Sequence, residues 1–216
     1  MTITNAATKL NSAWQRSCRA SGPRLPVLFL MTDPHRLPDP RLYLRCLPKG
    51  ASVILRCYGG KLGDGTSHIQ ARRLRKACHA RGLSLLIAGD DHLATTVRAD
   101  GIHLAEWRLG RGAWKRGPAR ARRGIVTASC HGRAALYRAA TAGIDAVLLA
   151  PVFPTESHPD APILGHLRFA TLVRQNRIPI FALGGVDAKN IARLKPSGAA
   201  GIAGIGAIID AGTDGL

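Results

Sequence analysis

Short apolar runs alternate along this chain with stretches whose apolar positions recur at helical spacing. There are eight such runs: Val27–Thr32, Ser52–Cys57, Leu83–Ala88, Gly101–Ala105, Gly124–Ser129, Ala146–Val152, Ile178–Leu183 and Ala200–Ile205. Several are apolar at nearly every position, the pattern of strands covered on both faces. Between them, Ser67–Arg81 predicts a helix with a strongly basic face, and Arg133–Ala142 (RAALYRAATA) and Leu167–Gln175 predict two more. Asp187 is placed to cap a helix over Ala188–Leu194, and Gly143 to stop the one before it. Strand and helix follow each other every roughly 20–30 residues, which argues for βα units and a parallel sheet. Eight units favour a closed, single-domain (β/α)8 TIM barrel over an open sheet. The barrel is assigned to residues 25–216. Residues 1–24 form an N-terminal extension, expected as an extra helix over the barrel's bottom. Only 207–216 follow the last strand, so a truncated eighth helix is expected. No internal repeat or domain linker interrupts the pattern.

Composition narrows the class. Of 216 residues, 46% are hydrophobic, ample for one core, and no run approaches the ~20 apolar residues of a membrane span. The first twenty residues lack a continuous apolar segment, so no secretory signal is read. Their Ser, Thr, Ala and basic residues, without acids, leave a transit peptide open. The five cysteines include no C-x-x-C pair. A disulfide framework or zinc cluster is not expected, and a reducing cytoplasm fits. The net charge of +18 attracts phosphates of any kind. Its densest stretch, Lys115–Arg123, contains no aromatic residue, which favours a solvated basic surface over a nucleic-acid interface.

Barrels of this kind bind ligands at the C-terminal ends of their strands. The residues there are Asp33, Arg56, Gly89-Asp90-Asp91, Glu106, Ser129-Cys130-His131, Thr155-Glu156-Ser157-His158, Gly184-Gly185 and Gly204-Ile205-Gly206. Glycines after strands seven and eight let backbone N–H groups approach an anion, and a helix start behind them adds positive charge. Taken singly, each glycine pair is simply a tight turn. Together on adjacent strands, with the Thr155 and Ser157 hydroxyls alongside, they predict a phosphate site. Ser129 and His131 share a face of strand five, and Cys130 points the other way. His131 is a candidate general acid/base, with a histidine satisfied by a backbone carbonyl as the alternative. Cys130 reads as a small buried hydrophobe.

The ordered motifs F-L-M-T-D (29–33), A-D-G-I-H-L (99–104), S-C-H (129–131), A-P-V-F-P-T-E-S-H (150–158) with Gly165, A-L-G-G-V-D-A-K-N-I (182–191) and G-A-A-G-I-A-G-I-G-A-I (198–208) resemble the thiamine phosphate synthase and thiazole tautomerase family. The resemblance spans roughly residues 27–209 and implies the same barrel. It implies a ligand set of a thiazole phosphate and a hydroxymethylpyrimidine diphosphate, with Mg²⁺ assisting departure of pyrophosphate. Arg56 matches the family's pyrophosphate-binding Arg in a Q-x-R-x-K pattern, with Ile54 and Tyr58 in place of Gln and Lys. Lys61 lies close by. Ser129 matches a pyrophosphate-contacting Ser. In the T-x-T-K motif Thr155 is kept, Ser157 is a mild change, and His158 replaces Lys. Gly184, Gly185, Gly204 and Gly206 match the thiazole phosphate cradle, Gly206 standing for a Ser.

The metal positions depart from this pattern. The family's N-D-R-x-D-L-A appears as Ala88–Ala94, so Gly89 falls at the first Mg²⁺-ligand position. Asp90 substitutes only through a one-residue slip. The second ligand position holds Arg108. The tautomerase branch also lacks these carboxylates and uses a His where His131 stands. The resemblance therefore implies a thiamine-biosynthesis protein that binds a thiazole phosphate and has tautomerase-like or divergent activity. Two alternatives remain: a non-catalytic phosphate-ligand binder or regulator, and a basic nucleic-acid-associated barrel. No cofactor beyond Mg²⁺ is implied and no membrane partner is expected. A homodimer is compatible with the pattern.

Overall fold

The computed structural model describes residues 2–17, 25–57, 65–110, 124–156, 159–206 and 208, with backbone only at 65–67. Eight parallel strands close into a barrel in sequence order. They are β1 (Leu28–Met31), β2 (Ser52–Arg56), β3 (Ser84–Ala88), β4 (Gly101–Leu104), β5 (Ile125–Cys130), β6 (Ala146–Leu149), β7 (Ile180–Leu183) and β8 (Gly201–Gly204). Each pairs with its neighbour, and β8 pairs back to β1. The expected strand set is all present, trimmed by a residue or two at the ends.

Alternation divides each strand between two apolar layers. One set, including Phe29, Ile54, Leu86, Leu148 and Phe181, fills the barrel interior. The other set, including Leu28, Val53, Leu85, Ile102 and Val147, faces the surrounding helices. Phe29 and Phe181 meet edge-to-face inside, with ring centroids 4.8 Å apart. Room for them comes from Gly201 beside Phe181, where a Cβ would come within 2.6 Å of the Phe181 ring.

The outer layer holds α2 (Gly65–His79), α3 (Asp91–Thr96), α4 (Arg133–Ala142) and α5 (Gly165–Arg174). In α2, Ala71, Leu74 and Cys78 are buried while Arg72, Arg73 and Lys76 remain exposed, as the basic-face pattern predicts. Gly143 ends α4 in a left-handed conformation (φ 70°), the expected stop. One expectation is corrected. Asp187 does not cap a regular helix over 188–194. Its Oδ1 accepts N–H bonds from Lys189 and Asn190, closing a turn. A 3₁₀ segment then runs Ile191–Ser197, with Pro196 inside it preventing an α-helical continuation.

The N-terminal segment forms α1 (Ile3–Ser17). Ile3, Ala6, Ala7 and Leu10 are buried on one face, and the buried Asn11 amide donates to Pro26 O (3.3 Å) and Ala200 O (2.7 Å). Both acceptors precede a strand, so α1 covers the barrel's N-terminal end. The opposite end, where the candidate site residues lie, is left as the mouth. Residues 209–216, where the short eighth helix was expected, lie outside the described residues, as does the basic run 115–123. No described helix is long and apolar enough to cross a membrane.

Candidate active site at the barrel mouth

Four polar groups line the mouth, each built from neighbouring strand ends. The first joins β1 and β2. Arg56 sits at the last position of β2, half-buried. Its Nε donates to Thr32 O (2.5 Å), and one terminal nitrogen pairs closely with Asp33. The other Asp33 oxygen accepts the backbone N–H of His35 (3.0 Å) and Arg36 (3.1 Å). Burial opposes ionisation of Asp33, but the N–H groups of Arg36 and His35 and the Arg56 charge outweigh it, holding the carboxyl below its ordinary range.

The second group lies inside, across β4 and β5. His103 is 1% exposed, and its ring nitrogens each meet a hydroxyl: Nδ1 with Thr127 Oγ1 and Nε2 with Ser129 Oγ, both at 2.9 Å. A hydroxyl can donate or accept, so either neutral tautomer is satisfied. Burial, reinforced by the positive charge of Arg56, pushes the imidazole down to about 4. Ser129 thus shares its hydroxyl with a neutral histidine behind it.

The third group sits at the outer rim of β5. His131 is largely exposed, and its Nδ1–H and backbone N–H both donate to Glu106 Oε2, at 2.8 and 2.9 Å. The remaining Glu106 oxygen accepts from Arg138 of α4 (2.9 Å). A carboxylate only accepts, so the bond assigns a proton to Nδ1 and makes Nε2 the acceptor nitrogen of the neutral ring. Cys130, between Ser129 and His131, points into the helix layer. Its thiol is pushed up to about 12, first by burial and then by the Glu106 charge, so it remains a protonated packing residue, as the alternation predicts.

The fourth group comprises the glycine turns. Gly184 and Gly185 adopt φ of 90° and 64°. A Cβ at Gly185 would meet Pro154 O at 2.1 Å, and one at Gly184 would meet Pro151 at 2.9 Å. Close packing of the β7 turn on the 150–156 loop therefore already requires glycine at both positions. Gly165, φ 68°, starts α5 and donates its N–H to Val152 O (3.0 Å). Gly204 and Gly206 follow on β8 without positive φ, and Thr155 lies half-buried on the facing loop. Ser157 and His158 lie outside the described residues.

Comparison with known proteins fits this arrangement. A family described as "Thiamine monophosphate synthase" has a sequence model that matches residues 28–208. A thiamine-phosphate synthase from Chromobacterium violaceum is 34% identical over 197 residues, covering 88% of this chain and 91% of that protein. The chain belongs to the thiamine phosphate synthase family. A thiamine-phosphate synthase from Methylobacillus flagellatus is 36% identical over 155 residues, 70% of this chain and 72% of that one. In fold, the thiamine phosphate pyrophosphorylase from Pyrococcus furiosus superposes with a TM-score of 0.70 at 22% identity, over 82% of this chain and 84% of that one.

The side chains at the family's metal positions do not fit Mg²⁺. Asp90 caps α3, its Oδ1 accepting Leu93 N–H at 2.8 Å. Asp91 gives both oxygens to Arg108, at 3.0 and 2.7 Å, a two-pronged pair. Among the described residues no group of three His, Cys, Asp or Glu side chains is arranged to hold a metal. At the second ligand position a guanidinium, paired with Asp91, therefore stands where a hard cation would need a carboxylate. As a check on the capping role, Asp90→Ala is expected to cost about 1 kcal/mol and Asp90→Asn nearly nothing in urea unfolding. Equal losses would refute it.

Three residues at the mouth of this thiamine phosphate synthase family member carried weak sequence signals. His103 showed only as a polar residue inside the apolar run G-I-H-L. Glu106 stood at a strand end without an assigned role. Arg138 is one basic residue in a helical stretch, and nothing in the local pattern marks it.

Proposed function

We propose that this chain binds a phosphorylated thiazole precursor of thiamine and moves a proton on it without a metal ion, a tautomerase-like reaction rather than pyrophosphate displacement. The observation that carries the reading is the Arg138–Glu106–His131 chain at the mouth. Glu106 fixes Nδ1 of His131 as donor, so Nε2 is the nitrogen left to serve as a base. A ring tautomerisation needs that base and an anion anchor. His131 Nε2 would take the proton from the saturated ring carbon, the exocyclic double bond on another ring carbon would shift into the ring, and the proton would be returned to that exocyclic carbon, leaving the thiazole aromatic. Gly89 and Arg108 support the second half of the reading, because neither offers a carboxylate through which Mg²⁺ would act on a diphosphate.

His131→Gln is the test. It keeps the ring's approximate volume and its hydrogen bond to Glu106 but removes the base. Turnover of the thiazole carboxylate phosphate is expected to fall at least ~100-fold, while the ligand still raises the melting temperature. Retained turnover sinks the role of His131. Thiamine phosphate formed from the two synthase substrates, at a rate unaffected by the substitution, would point to the synthase reaction that the named relatives carry.

A further inference from the structure

Arg36 lies in the loop after β1, yet its guanidinium rests against the turn after β8. A Cβ built on Gly206 would stand 2.6 Å from Arg36 Nη2. Gly206 has no left-handed φ that would require glycine, so what the missing side chain provides is space, and Arg36 fills it. On its other side the guanidinium lies 3.5 Å from Glu156 Oε2, in the loop after β6. One cation therefore spans the two loops that flank the glycine turns.

The placement is built rather than incidental. The Asp33 carboxylate accepts the Arg36 N–H, Leu37 N–H bonds Asp33 O at 2.7 Å, and the Leu37 side chain is buried at 1% exposure. The backbone on both sides of Arg36 is thus held, which fixes the point from which its side chain projects. Its partner is held loosely, since the Glu156 side chain is 91% exposed. Such a pair is weak in water. A phosphate monoester offers the same guanidinium a doubly charged, two-pronged acceptor.

We propose that Arg36 is an oxyanion ligand of the mouth: it grips the phosphate of the bound molecule over the Gly204–Gly206 turn, and Glu156 holds it there until the anion displaces the carboxylate. Gly206 serves this arrangement by leaving room for the guanidinium. The inference rests on the reading that a phosphorylated small molecule enters this mouth, and it names the side chain that recognises the phosphate.

The experiment is calorimetric titration of the full chain with thiazole phosphate and, separately, with inorganic phosphate. Arg36→Met is expected to weaken both at least ~10-fold. Gly206→Ala should weaken them in the same direction, by ~3–10-fold, because its Cβ displaces a flexible side-chain end rather than backbone. Glu156→Gln should tighten both ~2–5-fold by removing the competitor. Arg174→Met, at the exposed end of α5, controls for net charge and should change neither. Equal affinity of Arg36→Met and the parent protein overturns the inference, as does an equal loss in Arg174→Met. Binding of inorganic phosphate that needs Arg36, without binding of thiazole phosphate, upholds Arg36 and sinks the proposed substrate. If the parent protein binds neither probe, both fall.

Discussion

Gly185→Ala will unfold the barrel well before any other single methyl added at its mouth. Two costs combine there. The residue adopts φ 64°, a conformation alanine reaches only with about 1 kcal/mol of strain. The new Cβ would also stand 2.1 Å from Pro154 O and 2.7 Å from Phe153 O, both main-chain atoms. That main chain has little freedom to retreat, because Val152 N–H and Phe153 N–H bond Leu183 O and Gly184 O, each at 3.0 Å. A total loss of at least ~3 kcal/mol is expected in urea or thermal unfolding. Gly143→Ala is the matched comparison. It has φ 70° and nothing within 4 Å of the added atom, so only the backbone cost of ~1 kcal/mol should appear. If the two substitutions cost the same, the close approach of the β7 turn to the 150–156 loop is not real. The outcome also bears on the phosphate reading: glycine at 184–185 is needed by packing whether or not a ligand ever arrives.

The second large effect is an acid-sensitive core. His103 is neutral in the folded barrel, with its pKa brought down to about 4 from an ordinary 6.5 by burial and by Arg56. Because the folded pKa is the lower one, the unfolded chain binds the proton first. Stability is then intact above pH 6.5, falls as the pH drops from 6.5 to 4, and levels off below 4. The full loss is on the order of 3 kcal/mol. Carboxylate effects lie in a separate window. Asp33, with its folded pKa below 3.8, loses its contribution only as the pH falls under that value. Urea unfolding of the parent protein and of His103→Gln across pH 7 to 4 measures the difference. The glutamine can still bond both hydroxyls and does not titrate, so the slope should flatten. An undiminished slope in His103→Gln would show that the acid sensitivity lies elsewhere.

The barrel was legible because its signal is redundant. Eight apolar runs at regular spacing survive an error of a residue or two in any one of them, and the structure trims their ends without losing a strand. Alternation turned Cys130 into the helix layer as expected, while Ser129 meets the interior His103 and the His131 ring meets Glu106 at the outer rim. What the sequence could not supply was pairing between loops. Nothing in A-E-W-R shows that Glu106 reaches back to His131, since the two are 25 residues apart and meet only because β4 and β5 are neighbours. Nor does the spacing show that Arg108 turns onto Asp91, or that Arg36 crosses to Gly206. The glycines were read mainly as anion cradles. Contact distances at 184 and 185 show a steric demand that a motif cannot distinguish from a chemical one.

Asp33 divides its two oxygens between partners with different work. One ties down Arg56 from β2, and the other folds the turn from which Arg36 projects. Two positively charged arms of the mouth therefore share a single hinge pin. Any substitution at that aspartate therefore loosens both arms at once.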